Sequence, residues 1–96
     1  MGEASYTPVL LDPITADTAY STEWFWGVII ATNGTASTTH LRAGQTAGAG
    51  TILATFIIEA VTGGTTRPFM LPGPTKIQGG FNIDVDANVT RATVVK

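Results

Sequence analysis

The chain has 96 residues and a net charge of -2, is 44% apolar and only 12% charged, and contains eleven Gly, one His and no Cys, which is material for one domain and not two. Without Cys there is no disulfide framework, thiolate nucleophile, iron–sulfur cluster or Cys-based zinc site, and one His leaves no multi-histidine metal centre in a single chain. The five cations Arg42, Arg67, Lys76, Arg91 and Lys96 are widely scattered, so no basic patch marks a nucleic-acid binder.

Seventeen Thr, with many Val and Ile, favour pleated backbone, and Gly and Pro punctuate the chain too often for long helices. Residues 1–22 contain Pro8 and Pro13 and end in a polar stretch; they read as an extended arm with one short strand over residues 6–11. The globular part is expected to begin near Glu23. Residues 24–32, WFWGVIIAT, form the strongest strand. It is apolar on both faces, so it belongs in the centre of a sandwich or has one face against another subunit. Asn33-Gly34 then predicts a hairpin turn.

Residues 38–43 predict a second strand with Leu41 inward and His40 and Arg42 outward, followed by a flexible Gly-rich turn over 44–50. Residues 51–61, TILATFIIEAV, are long enough for a helix, but their Thr and Ile content predicts a strand with Ile52, Ala54, Phe56 and Ile58 on one face. A Gly-Gly turn, a short strand over 69–71 and the Pro72-Gly73-Pro74 turn follow. Residues 81–85 and 89–95 then read as strand, turn, strand, with Phe81, Ile83 and Val85 inward. The fold class expected is all-β: a small antiparallel β-sandwich, jelly-roll-like or immunoglobulin-like, over residues 23–96, with an extended N-terminal arm over 1–22.

A domain of this size buries about 60 to 65% of the surface its unfolded chain exposes, which leaves a thin margin of stability. Small domains offset this with disulfides, metals or oligomerisation. Here the sparse charge and slightly positive mean hydropathy point to subunit association through apolar surface. The N-terminus shows no basic region followed by an apolar stretch, so no export signal is expected. The longest apolar runs fall short of the roughly 20 residues that a membrane helix needs. Synthesis in the cytoplasm is the corresponding expectation.

Candidate chemistry is thin. Asp84, Asp86 and Asn88 have the alternate spacing that opens a helix-loop-helix calcium loop, but Val89 stands where the turning Gly belongs and Val95 where the bidentate Glu belongs; a strand edge running into a turn explains them better. His40 has no nucleophile signature near Ser5, Ser21 or Ser37, so an exposed strand histidine is favoured over a general base. Residues 44–50 lack the Lys-Ser/Thr ending and the following helix of a phosphate-binding loop. Two Asn-X-Thr patterns, at Asn33 and Asn88, read as a turn and a strand entrance. An enzyme is not expected, and neither a cofactor nor a metal. Trp24, Phe25 and Trp26 concentrate three of the eight aromatic residues; core and subunit packing is favoured over a sugar-stacking platform.

The order of features from Trp26 to Val95 carries a resemblance. An apolar Gly-Val-Ile-Ile strand leads through a Thr-rich stretch to Leu41-Arg42-Ala43-Gly44, and the Gly-rich 47–50 precedes Thr51-Ile52-Leu53-Ala54. Pro72-Gly73 then precedes Gly79-Gly80-Phe81-Asn82-Ile83-Asp84-Val85 and a final Ala92-Thr93-Val94-Val95 strand. This pattern, over roughly three-quarters of the chain, resembles small structural proteins of tailed bacteriophages. The resemblance implies a β-sandwich virion component of the capsid cement or decoration type, commonly a trimer on the outer shell and often with an extended N-terminal arm.

The function expected is therefore non-enzymatic binding to a major capsid protein by a homo-oligomer, with a trimer favoured. The place expected is the capsid surface of the virion, with neither nucleic acid nor membrane as partner. Tyr6, Val9, Leu10, Leu11, Trp24 and Trp26 are the expected capsid or subunit contacts. The rival readings are a carbohydrate-binding β-sandwich of a host-recognition structure, stacking sugars on Trp24, Trp26 or Tyr20, and a tail or neck component.

Overall fold

A computed structural model describes residues 11–22 and 24–96. Within them run eight strands and no helix: β1 Leu11–Ile14, β2 Thr18–Tyr20, β3 Trp24–Thr32, β4 Ser37–Ala43, β5 Ile52–Ile58, β6 Thr66–Lys76, β7 Phe81–Val85 and β8 Val89–Val95. The β-branched run of β5 settles as a strand and not a helix, because Ile and Thr lose less side-chain freedom on a pleated surface than against a helical turn.

The strands pair in nested fashion, β1 with β8, β2 with β7, β3 with β6 and β4 with β5, all antiparallel. Rolling this long hairpin adds the pairings of β3 with β8 and β4 with β7. Two four-stranded sheets result, in the orders β1-β8-β3-β6 and β2-β7-β4-β5. Eight strands wound this way form a jelly roll, so of the two sandwich types expected the immunoglobulin-like one does not hold.

The winding corrects two local expectations. Asn33-Gly34 is not a hairpin turn, since β3 and β4 lie in different sheets. The turn carries the chain across the sandwich, held by Asn33 N donating to Asn88 O and Thr35 N donating to Asn33 Oδ1, both at 3.0 Å. Nor does the sandwich begin near Glu23. Residues 11–14 pair with β8 and residues 18–20 with β7, so the described half of the expected arm supplies one edge strand to each sheet. The predicted strand over residues 6–11 lies outside the described residues except for Leu11, the first residue of β1.

The core forms where the inward faces meet. Phe25, Val28, Ile30, Phe81, Ile83, Ala92 and Val94 are buried, and each large apolar side chain removed from water contributes about 1.5 to 3 kcal/mol. Phe81 is central: its ring meets Phe25 edge-on at 5.3 Å and Tyr20 at 5.1 Å. Of the three residues expected inward on β7, Phe81 and Ile83 are buried and Val85 half-buried.

On β5 the expected alternation breaks. Leu41 pairs with Ala54 and Arg42 with Ile52, leaving Leu53 as an extra residue. A bulge of this kind reverses the facing of what lies beyond it. Ala54, Phe56 and Ile58 therefore face inward, and Ile52 joins the outer side beside Arg42. β6 runs for 11 residues where only a short strand was expected. Its Pro68 stands on an edge strand, and Pro72 and Pro74 in the irregular stretch 71–74 that the register with β3 skips, the places where sheets accommodate proline.

Candidate interaction surface

The outer faces of the two sheets differ in chemistry. That of β2-β7-β4-β5 is polar over β7 and β4 and apolar at its β5 edge, where Ile52 and Ile57 are exposed. Arg42 Nε donates to Asp84 Oδ2 at 2.9 Å and Arg42 Nη1 to Gly50 O at 2.9 Å, while His40 Nδ1 lies 3.2 Å from Thr55 Oγ1. His40 and Arg42 thus face outward as the alternation predicts. His40 engages the hydroxyl of Thr55 on the neighbouring strand β5.

The residues with calcium-loop spacing hold the chain, as the favoured reading of a strand edge running into a turn has it. Asp84 is tied to Arg42, Asp86 accepts from Thr38 N at 2.7 Å and from Asn88 N at 2.9 Å, and Asn88 Nδ2 donates to Ala36 O at 3.2 Å. Among the described residues no group of three or more His, Cys, Asp or Glu is placed to hold a metal ion.

Asn82 organises the Gly-rich 44–50 segment. It is fully buried, its Nδ2 donates to Gly44 O and Ala49 O at 3.0 Å each, and its Oδ1 accepts from Gly48 N at 3.1 Å. The segment read as a flexible turn is pinned to the sheet by one amide. Its signal in the sequence was an Asn between Phe81 and Ile83, two residues after Gly80, and the partners that gave it meaning are more than thirty residues away.

The outer face of β1-β8-β3-β6 has two uncharged rows at the end where β1 begins, and an exposed charge, Arg91 opposite Ala31, in the row beyond them. The register lines up Leu11, Val95, Gly27 and Met70 in one row across all four strands, and Pro13, Thr93, Ile29 and Pro68 in the next row on the same side. Neither row contains a charge. Leu11 and Met70 at the two ends of the first row are 64% and 48% exposed. Gly27 lies at its centre because a Cβ there would strike Phe69 O and approach Met70 Sδ to 2.6 Å. The bare backbone lets β6 and its exposed methionine close over β3.

Trp24 stands at the same end of this sheet. It pairs with Lys76 and is 48% exposed, while Trp26 is half-buried and Phe25 between them is in the core. The register skips residues 71–74 between Phe25 and Gly27. Beside this irregularity a cleft of about 560 Å³ opens between the two sheets, lined by Phe25, Leu41, Leu53, Leu71, Lys76 and Ile77 among others.

The structure thus gathers the described members of the expected contact set at one end of one sheet. Leu11 ends the apolar row, and Trp24 and Trp26 start β3 beside it. Tyr6, Val9 and Leu10 lie outside the described residues. What the sequence did not identify is the rest of the surface: Met70 and Leu71 on β6, exposed, and Pro13, Ile29 and Pro68. Each looks ordinary by itself, and only the strand order makes them neighbours. Val95 and Gly27 in the middle of the first row are buried, so the exposed apolar groups are those at the sheet's two edges, Leu11 and Pro13 on β1 and Pro68, Met70 and Leu71 on β6, and exposed apolar groups clustered in this way mark a candidate contact surface. No family model, curated protein or solved structure matches the chain.

Proposed function

We propose that the chain is a non-enzymatic structural protein of a tailed-phage virion, a capsid cement or decoration protein that binds the major capsid protein at the outer shell and stabilises it. The observation that carries this reading is the pair of uncharged rows on the outer face of the β1-β8-β3-β6 sheet, with Leu11 and Trp24 exposed at the end where the N-terminal ten residues join it. Such rows and a joining segment with Tyr6, Val9 and Leu10 suit contact with a folded protein shell. Contacts that exist only in the assembled particle stabilise it by mass action, and many copies on a symmetric shell act together through high effective concentration. The jelly roll is a recurrent architecture of viral capsid and lectin domains, which supports the reading by analogy alone.

The second reading, a carbohydrate-binding module, draws on one feature: Trp24 is half exposed beside a cleft whose lining includes Thr75, Lys76 and Gln78, the pairing of ring and polar groups that sugars use. Titration of purified particles lacking the protein with the full chain separates the two. Saturable attachment that Leu11→Lys and Trp24→Lys each reduce at least tenfold is the expected result. Binding to a glycan array with no attachment to particles would sink the capsid reading and favour the second.

A further inference from the structure

The two sheets have four edges, β1, β2, β5 and β6, and three are blunted. β1 is four residues long with Pro13 inside it, β2 is three residues, and β6 carries three prolines together with Arg67 and Lys76. Short strands, prolines and charged side chains are the usual means by which a sheet edge is kept from pairing with another chain. β5 has none of these: its seven residues, ILATFII, contain no charge, no Pro and no Gly. Its one irregularity, the bulge at Leu53, leaves residues 54–58 in regular pairing with β4 on one side and no strand beside them on the other among the described residues. At the solvent-facing position in this run stands Ile57, 65% exposed, the most exposed large apolar side chain described.

We propose that β5 is a self-pairing edge: two copies of the chain join β5 to β5, antiparallel about a two-fold axis through Phe56, to make one continuous eight-stranded sheet. The regular run is complementary to itself in this register. Ala54 faces Ile58 and Phe56 faces Phe56 on the inner side, and Thr55 faces Ile57 twice on the outer side, a β-branched pair of the kind that stabilises antiparallel sheets. No charge opposes a like charge. Glu59, the first charged residue after the strand, falls opposite Leu53, which holds the two Glu59 side chains about 20 Å apart at the strand rise of roughly 3.4 Å per residue. That spacing exceeds the screening length of about 8 Å at physiological salt.

The other candidate occupant, the segment over residues 1–10, joins the sandwich at β1, the opposite edge of the other sheet. Being isologous, the contact closes at two copies. It therefore replaces the trimer that the phage resemblance implies, and it stands whether or not the protein binds a capsid.

The test is the mass of the full chain by light scattering after size exclusion, from micromolar to millimolar, beside Ile57→Lys and Thr55→Lys. Both substitutions place a charge on the solvent side of β5, and circular dichroism checks that each variant folds. The expected result is a mass of two 10.0 kDa chains for the parent and one for either folded variant. Because the chain has no native Cys, a mixture of Thr55→Cys and Ile57→Cys proteins should form a disulfide-linked heterodimer under mild oxidant, faster than either alone. A parent that is monomeric or trimeric throughout would overturn the proposal. So would a dimer that survives both lysine substitutions, or β5 amides protected from hydrogen exchange independently of protein concentration, the pattern expected if residues 1–10 of the same chain covered the edge.

Discussion

The phenol of Tyr20 donates to Asp12 Oδ2 across 2.5 Å, and because Asp12 is on β1 and Tyr20 on β2, this bond clasps the two sheets at the edge where the chain enters the sandwich. Lys96 Nζ lies 4.6 Å from the centre of the same ring. Burial, then the bond to Asp12 and its negative charge, push the Tyr20 hydroxyl well above the usual tyrosine value. Ionising it in the folded protein would place an anion in a desolvated site beside a carboxylate.

Stability should accordingly fall at alkaline pH through Tyr20. The unfolded chain releases this proton near pH 10, whereas the folded chain retains it. The contribution is complete below about pH 10 and is lost as pH rises from there towards the folded value. Urea midpoints measured from pH 8 to 11.5 should decline more steeply above pH 10 for the parent than for Tyr20→Phe. Tyr20→Phe should itself cost about 1.5 to 3 kcal/mol at pH 8, the size of a lost charge-assisted hydrogen bond. Parallel pH profiles for the two proteins would contradict this account.

Asn82→Ala should destabilise the fold by about 2 to 3 kcal/mol, because Gly44 O, Ala49 O and Gly48 N lose their partner at once. Hydrogen exchange should show loss of protection at Gly48 first. Asn82→Asp should not rescue, since a carboxylate accepts from Gly48 N but meets two carbonyl oxygens with no donor.

Thr39→Val is expected to stabilise. Thr39 is fully buried on β4 and its hydroxyl has no hydrogen-bond partner. Valine keeps the β-branched shape and removes the unpaired group, worth about 1 kcal/mol or more in a urea titration. An unchanged or lowered midpoint would mean that the hydroxyl is satisfied in solution.

Gly27→Ala should cost about 1 to 3 kcal/mol, the range for forcing an extra methyl into a packed site, since its Cβ meets Phe69 O and the Met70 backbone. The strain falls between β3 and β6, so the exchange of their shared ladder amides should quicken more than that of the β3–β8 ladder. Uniform acceleration across both ladders would count against the local account.

Strand identity was legible along most of the chain because it rests on local matters: β-branched residues, alternation, and Gly and Pro at the breaks. Residues 81–85 show this well, with Phe81 and Ile83 in the core where the pattern places them, whereas Phe25 reaches the core beside Val28 and Ile30 only through the register shift between Phe25 and Gly27. The sense of Leu41 against His40 and Arg42 was legible for the same reason. Leu53 was not. A bulge is a relation between two strands, and nothing within TILATFII announces which residue the partner strand will skip.

The sequence by itself determined an all-β chain without the thiols or paired imidazoles of common catalytic and metal sites, and a strand, β3, too apolar to have a hydrated face. Tertiary structure alone decided which strands are neighbours. The nested winding sends Asn33-Gly34 across the sandwich instead of into a hairpin, draws residues 11–20 into both sheets, and brings Leu11, Gly27 and Met70 into one uncharged row. The physical reason is that pairing is set by long-range burial. A one-residue pattern tells a side chain which way to face, but only the closing of the sheets decides what it faces.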